Sequence, residues 1–328
     1  MRQKTENSGE QFPKTPYSFM TPYTFANLAV KTGTISFSVS LLTQPFNFVL
    51  NRIQSGTPSA VSGGLFRGMY RGFLPYAIAG QKRGAVAVTA KQTNRVQEEL
   101  VEEEGIDMVL LQRQRFMKAV MGTVAFSQFD LLVSNGLGGK SRLENLGIIT
   151  KSNFKWSFTN WWKLTTVNWG SRSSAGFVNF AAIGVVGDYC SSLYKFNDEL
   201  YNKMLGGATA GVLATLFTTI PNSYADRKLL ASKVENGRLL TVTPYTMFKQ
   251  MKSHVNTIGV FEAVKTFIKF NYLKEVAVRS PQTALTFGII FGIDHMMGDE
   301  PLRRVWPGRG RVQEVSSEEP SNTTPKSM

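Results

Sequence analysis

The sequence predicts an all-α membrane protein of six transmembrane helices, arranged as three pseudo-symmetric repeats that each carry a short amphipathic helix between their two spans. Three observations predict it: six partly apolar segments of helical character, loops whose charge alternates along the chain, and an aromatic-rich stretch in every second loop. The segments cover roughly 24–50, 72–95, 116–135, 171–195, 203–226 and 275–297. None is an unbroken run of the ~20 apolar residues that a solitary span needs. Lys31, Lys82, Arg83 and Asp130 interrupt them, as expected of helices that surround a wet cavity and show lipid only one face.

Composition narrows the partners. The 328 residues carry 37 Lys+Arg against 23 Asp+Glu, a net charge of +14, with 42 % hydrophobic residues. Such an excess admits nucleic acid, an anionic membrane surface or small anionic ligands. A single cysteine, Cys190, excludes an intrachain disulfide and a cysteine-based metal cluster. With His254 and His295 the only histidines, no metal site is readable and no cofactor is expected. Residues 1–22 form a polar tail without the apolar core of a secretory signal, so any address is expected to be internal.

The loops sort by charge. Residues 51–78, 136–170 and 227–278 hold 17 Lys/Arg and 4 Asp/Glu, whereas 91–115 and 188–203 hold 6 Lys/Arg and 9 Asp/Glu, including "EELVEEEGID". Alternation of this kind places successive loops on opposite sides of a membrane. Each basic loop also holds an aromatic-rich, helix-compatible stretch: "GGLFRGMYRGF", "NFKWSFTNWWKL" and "TIGVFEAVKTFIKF". The chain thereby divides into repeats at 23–110, 111–199 and 200–298, with a polar tail at 299–328. Small residues at four-residue spacing, Gly80 with Gly84 and Gly207 with Gly211, are suited to close helix contact in lipid.

Prolines punctuate the odd-numbered segments. "LTQPFNFVLNRIQSG" sets Pro45 ahead of Asn47, Leu50, Arg52 and Gln54, and the fifth segment sets Pro221 ahead of Ser223, Asp226 and Lys228. The third offers Gln128, Asp130, Val133 and Asn135 at the same spacing, without the proline. In this spacing the chain resembles the mitochondrial carriers, inner-membrane solute carriers built from three repeats of two transmembrane helices. The resemblance covers 24 to 298 and implies a carrier fold. It also implies that kinks at Pro45 and Pro221 draw the odd helices together to close the cavity floor. Tyr70-Arg71-Gly72 is similar to the family motif that begins an even helix and binds cardiolipin at its N-terminus. "RSPQTALTFGIIFG", from Arg279, resembles the sixth helix, where an arginine contacts substrate.

The departures from the family are as informative. Its matrix gate is a ring of salt bridges between an acid at the third motif position and a base at the sixth. Here those positions read Asn47/Leu50, Asp130/Val133 and Ser223/Asp226, so the ring cannot form in the family's way. The expectation is a gate that is weak or remade through Arg52, Arg227 and Lys228, with Asp188 the one acid kept in the even-helix gate.

For the substrate, the resemblance aligns Ala79, the pair Ala175-Gly176 and Arg279 with the three contact points. A small-residue pair is similar to that of nucleotide carriers, where it leaves room for a base. Lys82, Arg83 and Arg172 lie a turn away and add positive charge suited to a triphosphate. The implied function is nucleotide transport, ATP foremost, by alternating access as a monomer in the mitochondrial inner membrane, with no covalent chemistry. The Ser/Thr-rich tail ending "EVSSEEPSNTTPKSM" resembles the signals of bacterial effectors that type IV secretion machinery delivers, which would make the chain an effector imitating a carrier. Three alternatives stay open: a carrier of another small anion or amino acid, a non-transporting membrane scaffold of the same fold, and a soluble nucleic-acid binder. The charge alternation argues against the last, and no nucleic acid is expected as a partner.

Overall fold

The computed structural model describes residues 22–56, 64–80, 108–150, 152–298, 300–303 and 305–306, with the backbone alone at 65 and 108–119. The first helix, α1 (Pro22–Ser55), runs 34 residues through Pro45. It is followed by a five-residue helix, α2 (Leu65–Met69), and by α3, residues 73–80. Next come α4 (Met108–Asn145), α5 (Phe158–Thr166) and α6 (Trp169–Ala181), which a π turn (Ala182–Val186) joins to α7 (Gly187–Leu193). The chain continues through α8 (Glu199–Leu230), a hairpin of β1 (Lys233–Glu235) and β2 (Arg238–Leu240), and α9 (Pro244–Ile258). It ends with α10 (Val260–Thr266), which a second π turn (Phe267–Tyr272) joins to α11 (Leu273–Met297).

The packing inverts that of a soluble protein. Along α1 the buried positions include Thr32, Ser36, Ser40, Gln44, Asn47 and Asn51, a polar stripe at helical spacing beside the apolar Ile35, Phe48 and Leu50, while Phe37, Leu41, Leu42 and Val49 are exposed. On α8 the inside is Thr215, Thr218, Thr219, Ser223 and Asp226, and the outside is Leu213, Leu216, Phe217 and Ile220. Polar side chains inside and a greasy exterior are what a bilayer selects for helices around a hydrated interior. Among the described residues, three helices are long and apolar enough to cross a membrane: α1, α8 and the continuous Val260–Met297. The chain is an all-α membrane protein apart from the small hairpin.

Glycine permits close helix contact. A Cβ at Gly211 on α8 would lie 2.6 Å from the carbonyl oxygen of Thr283 on α11. The two backbones meet at that point, and Thr215 and Thr283 join their hydroxyls one turn further on.

Several expected boundaries move. The segment expected at 116–135 extends as α4 to Asn145, carrying Gly136, Gly138 and Gly139 into helix where a loop was expected. A Cβ at Gly136 would stand 2.7 Å from Thr165 Oγ1 and 2.9 Å from Trp161 Cδ1, so α5 packs where only glycine leaves room. "TIGVFEAVKTFIKF" is not the third amphipathic helix. That role falls to α9, which Thr243 caps and Pro244 begins, while Gly259 at φ +85° breaks the chain and lets α10 run on into α11. The tail expected from 299 begins folded: Leu302 N donates to Asn27 Oδ1 at 2.8 Å, and the Tyr23 and Trp306 rings meet edge-on at 5.5 Å. The acidic stretch 98–107 and the chain beyond 306 lie outside the described residues.

Candidate functional site: a carboxylate clamped by three arginines

A cavity of about 240 Å³ lies within the bundle, lined from α1, α3, α4, α5, α6, α8 and α11. Ala79, Ala175, Gly176, Arg172 and Arg279 all line it, so the three aligned contact points face one space. Lys82 and Arg83 lie outside the described residues. Its small lining residues leave volume, and the polar lining is rich in carboxamides, among them Gln44, Asn47, Asn168, Asn179 and Gln282.

Charge gathers at one end of this space, where the C-terminal ends of α1, α4 and α8 meet the N-terminal parts of α6 and α11. Asp226 on α8 is the centre. Its Oδ1 takes Arg142 from α4 and Arg172 from α6, and its Oδ2 accepts from Arg279 Nη2 on α11 at 2.6 Å and from Gln54 Nε2 on α1 at 3.2 Å. Glu275, one turn before Arg279 on α11, is a second buried carboxylate. It accepts from Ser223 Oγ at 2.8 Å, Gln54 Nε2 at 2.9 Å, Arg227 Nη2 at 3.2 Å and Arg279 Nη2 at 3.3 Å. Four guanidinium groups thus face two carboxylates. Removing such carboxylates from water is costly, and guanidinium pairs of this kind are what offset the cost. The cluster binds side chains of α1, α4, α6, α8 and α11 together.

This arrangement corrects the expectation for the gate. Asp226 occupies the position where the family has a base, and the bases come from elsewhere: Arg142, Arg172 and Arg279. Of the three residues expected to remake the gate, only Arg227 joins the cluster, through Glu275 and Asn271. Arg52 lies over the Phe48 ring at 4.4 Å. Lys228 points away and donates to the Val167 carbonyl at 2.6 Å. Asn47 accepts from Gln282 Nε2 at 2.9 Å, and Asp130 accepts from Ser134 Oγ at 2.8 Å on its own helix. Pro45 and Pro221 lie within helices that continue past them.

At the opposite end of the bundle the described ion pairs join neighbours only. Lys31 and Asp294 meet at 2.5 Å between α1 and α11, both buried, and Lys31 Nζ also donates to the Gly298 carbonyl at 2.8 Å. Asp188 stands 3.8 Å from Lys203, between α7 and α8, half exposed.

Tyr70-Arg71-Gly72 closes against α1 and α4. The Tyr70 hydroxyl donates to the Leu41 carbonyl at 3.1 Å, and the Arg71 carbonyl accepts from Gln44 and Asn145. Gly72 has φ +74° and its carbonyl accepts from Ser141 Oγ at 2.7 Å.

Two members of the cluster escaped the sequence reading. Arg142 falls in the stretch expected as a loop, and only recognition that α4 continues would have placed it. Glu275 had a visible signal, since an acid four residues before Arg279 shares its helix face.

Helices with a polar inside, a central cavity and charge concentrated at the odd-helix ends define a membrane carrier. The chain belongs to the mitochondrial SLC25 homolog family, whose profile matches residues 23–307. Among curated proteins, "Serine protease Lpg1137" of Legionella pneumophila subsp. pneumophila (strain Philadelphia 1) is 62 % identical over 330 aligned positions, covering 99 % of this chain and 98 % of that one. No solved structure matches the chain.

Proposed function

We propose that the chain is a six-span carrier that moves a multiply charged anion, a nucleotide with ATP foremost, across the mitochondrial inner membrane by alternating access. The observation that carries this reading is the polar cavity itself: Arg172 and Arg279 face it beside the small pair Ala175-Gly176, inside a bundle whose exterior is apolar. The Asp226 cluster is then the closed end, and opening it to one side at a time is the transport step. Work is done by binding and conformational change, so no nucleophile or cofactor is required. Family membership supports transport. The polar tail and a close relative in a bacterial pathogen support a chain delivered by type IV secretion and acting in the mitochondria of a host cell. Tyr70-Arg71-Gly72 is the proposed contact for cardiolipin, and the working unit is a monomer.

The test is uptake of labelled ATP by liposomes containing the purified protein, with and without internal nucleotide. Uptake that requires internal nucleotide identifies an exchanger, and uptake without it a uniporter. If no nucleotide moves while a dicarboxylate or amino acid does, the substrate is wrong. No uptake of any solute leaves the scaffold of carrier fold.

A second reading, proteolysis, is favoured by one observation, the name of the 62 % identical relative. Against it, His254 and His295 are both exposed, and neither makes a described side-chain hydrogen bond to a serine or carboxylate. Among buried serines, Ser134 and Ser223 donate to the carboxylates of Asp130 and Glu275, and neither has a described hydrogen bond to a histidine or lysine. Labelling of the folded protein by a fluorophosphonate, lost on replacing one serine, would establish the protease; absence of labelling alongside ATP uptake would establish the carrier.

A further inference from the structure

Arg142, Arg172 and Arg279 come from three different helices, line the cavity and converge on one carboxylate. Three guanidinium groups around one group of oxygens is the donor set that sites for doubly charged oxyanions use. Around them the cavity wall has hydrogen-bonding capacity left over. Gln44 Oε1, Asn47 Nδ2, Asn168 Oδ1, Asn179 Oδ1 and Arg279 Nε are buried without a hydrogen-bond partner in the structure. Unpaired buried polar atoms are costly, and five along one cavity mark a place built for a polar occupant.

We propose that Asp226 is an internal anion seated in the oxyanion subsite of this cavity, and that a ligand with two or more negative charges binds by displacing it from Arg142, Arg172 and Arg279. Binding and release of the closed end are then one event. A single external carboxylate gains nothing by the exchange, since it makes the same contacts as Asp226 and competes against a tethered group whose effective concentration is on the order of millimolar or above. A diphosphate brings a second charge to the same arginines and to the free Arg279 Nε, so its differential affinity for the displaced state supplies the driving force. The subsite thereby selects for charge: phosphate esters and other polyanions are held, and monocarboxylates are refused. The link between displacement and opening rests on the transport reading, whereas the displacement itself does not.

The experiment is titration calorimetry of the full-length protein in detergent with inorganic pyrophosphate, citrate and acetate at constant ionic strength. The native chain is compared with Asp226→Asn and with the double variant Asp226→Asn/Arg142→Gln, whose net charge equals the native one. Displacement predicts that pyrophosphate binds Asp226→Asn at least about tenfold more tightly than the native chain, a gain of about 1.4 kcal/mol. The double variant must also bind it more tightly, which excludes a bulk charge effect and serves if the single variant does not fold. The native chain alone must bind pyrophosphate and refuse acetate. Variants that bind pyrophosphate no more tightly than the native chain overturn the proposal, as does a native chain that treats pyrophosphate and acetate alike. Citrate bound as tightly as pyrophosphate assigns the subsite to polyanions at large, and weaker citrate assigns it to phosphates. Tightened binding without uptake in liposomes would keep displacement and remove transport; uptake with unchanged affinities would do the reverse.

Discussion

Arg279 and Asp226 meet at 2.6 Å across the interface of α11 and α8, with side chains only 8 % and 1 % exposed. The residue aligned with a substrate contact is therefore also a structural partner of the buried Asp226 carboxylate. Replacing it affects both roles. Arg279→Ala is expected to abolish ATP uptake and to lower stability by about 3–5 kcal/mol, because a buried carboxylate loses one of its compensating charges. Uptake assays paired with thermal unfolding in detergent check this, and loss of uptake at native stability would make Arg279 a substrate contact alone.

Lys31 and Asp294 form a buried ion pair at the other end of α1. Lys31→Met takes a cation from beside the buried Asp294 carboxylate, at an expected cost of about 3–5 kcal/mol, whereas Lys31→Met/Asp294→Leu is expected to recover most of it. The sole cysteine, Cys190, is buried, so the onset of its reaction with a thiol dye on heating reports unfolding from one site.

Gly211 admits no side chain. Gly211→Leu must push α8 from Thr283 and is expected to cost at least about 1–3 kcal/mol, while a change at Gly33, where a Cβ meets nothing within 4 Å, is expected to be far milder. Unfolding midpoints of the two variants, measured side by side, make the comparison.

Asn160 holds the hairpin to α5. Its side chain donates to the carbonyls of Lys155 at 2.8 Å and Gly237 at 2.9 Å and accepts from Leu239 N at 3.0 Å. Asn160→Ala leaves buried backbone groups unpaired, at an expected cost of about 1–3 kcal/mol. Limited proteolysis is expected to cut first near 233–240 in this variant and not in the native chain.

The all-α class was legible because it rests on features local in the chain: segments of apolar character and alternating loop charge. The polar stripe of α1 was half visible in Lys31 and Asn47. Asp226 and Arg279 could be found from motif spacing, but their meeting could not, because it depends on how α8 and α11 face each other. The run Gly136-Leu137-Gly138-Gly139 reads as a loop on propensity, since each glycine weakens a helix. Packing by Trp161 and Thr165 overrides that preference, and with the loop expectation went Arg142. The fusion of α10 to α11 was missed because the stretch from Val260 reads as an amphipathic helix in its own right, and only Gly259 marks the break before it.

The charge of the Asp226 cluster is one-sided. To the Asp226 cluster α1 brings the carboxamide of Gln54, while α4, α6, α8 and α11 bring the ions. Swinging the C-terminal end of α1 outward would break no ion pair of that cluster, and the Lys31–Asp294 pair would pin the far end of the same helix. Among the described contacts, α1 is thus tied to the cluster by amide hydrogen bonds where the other helices are tied by ions, and a buried ion pair holds its far end to α11.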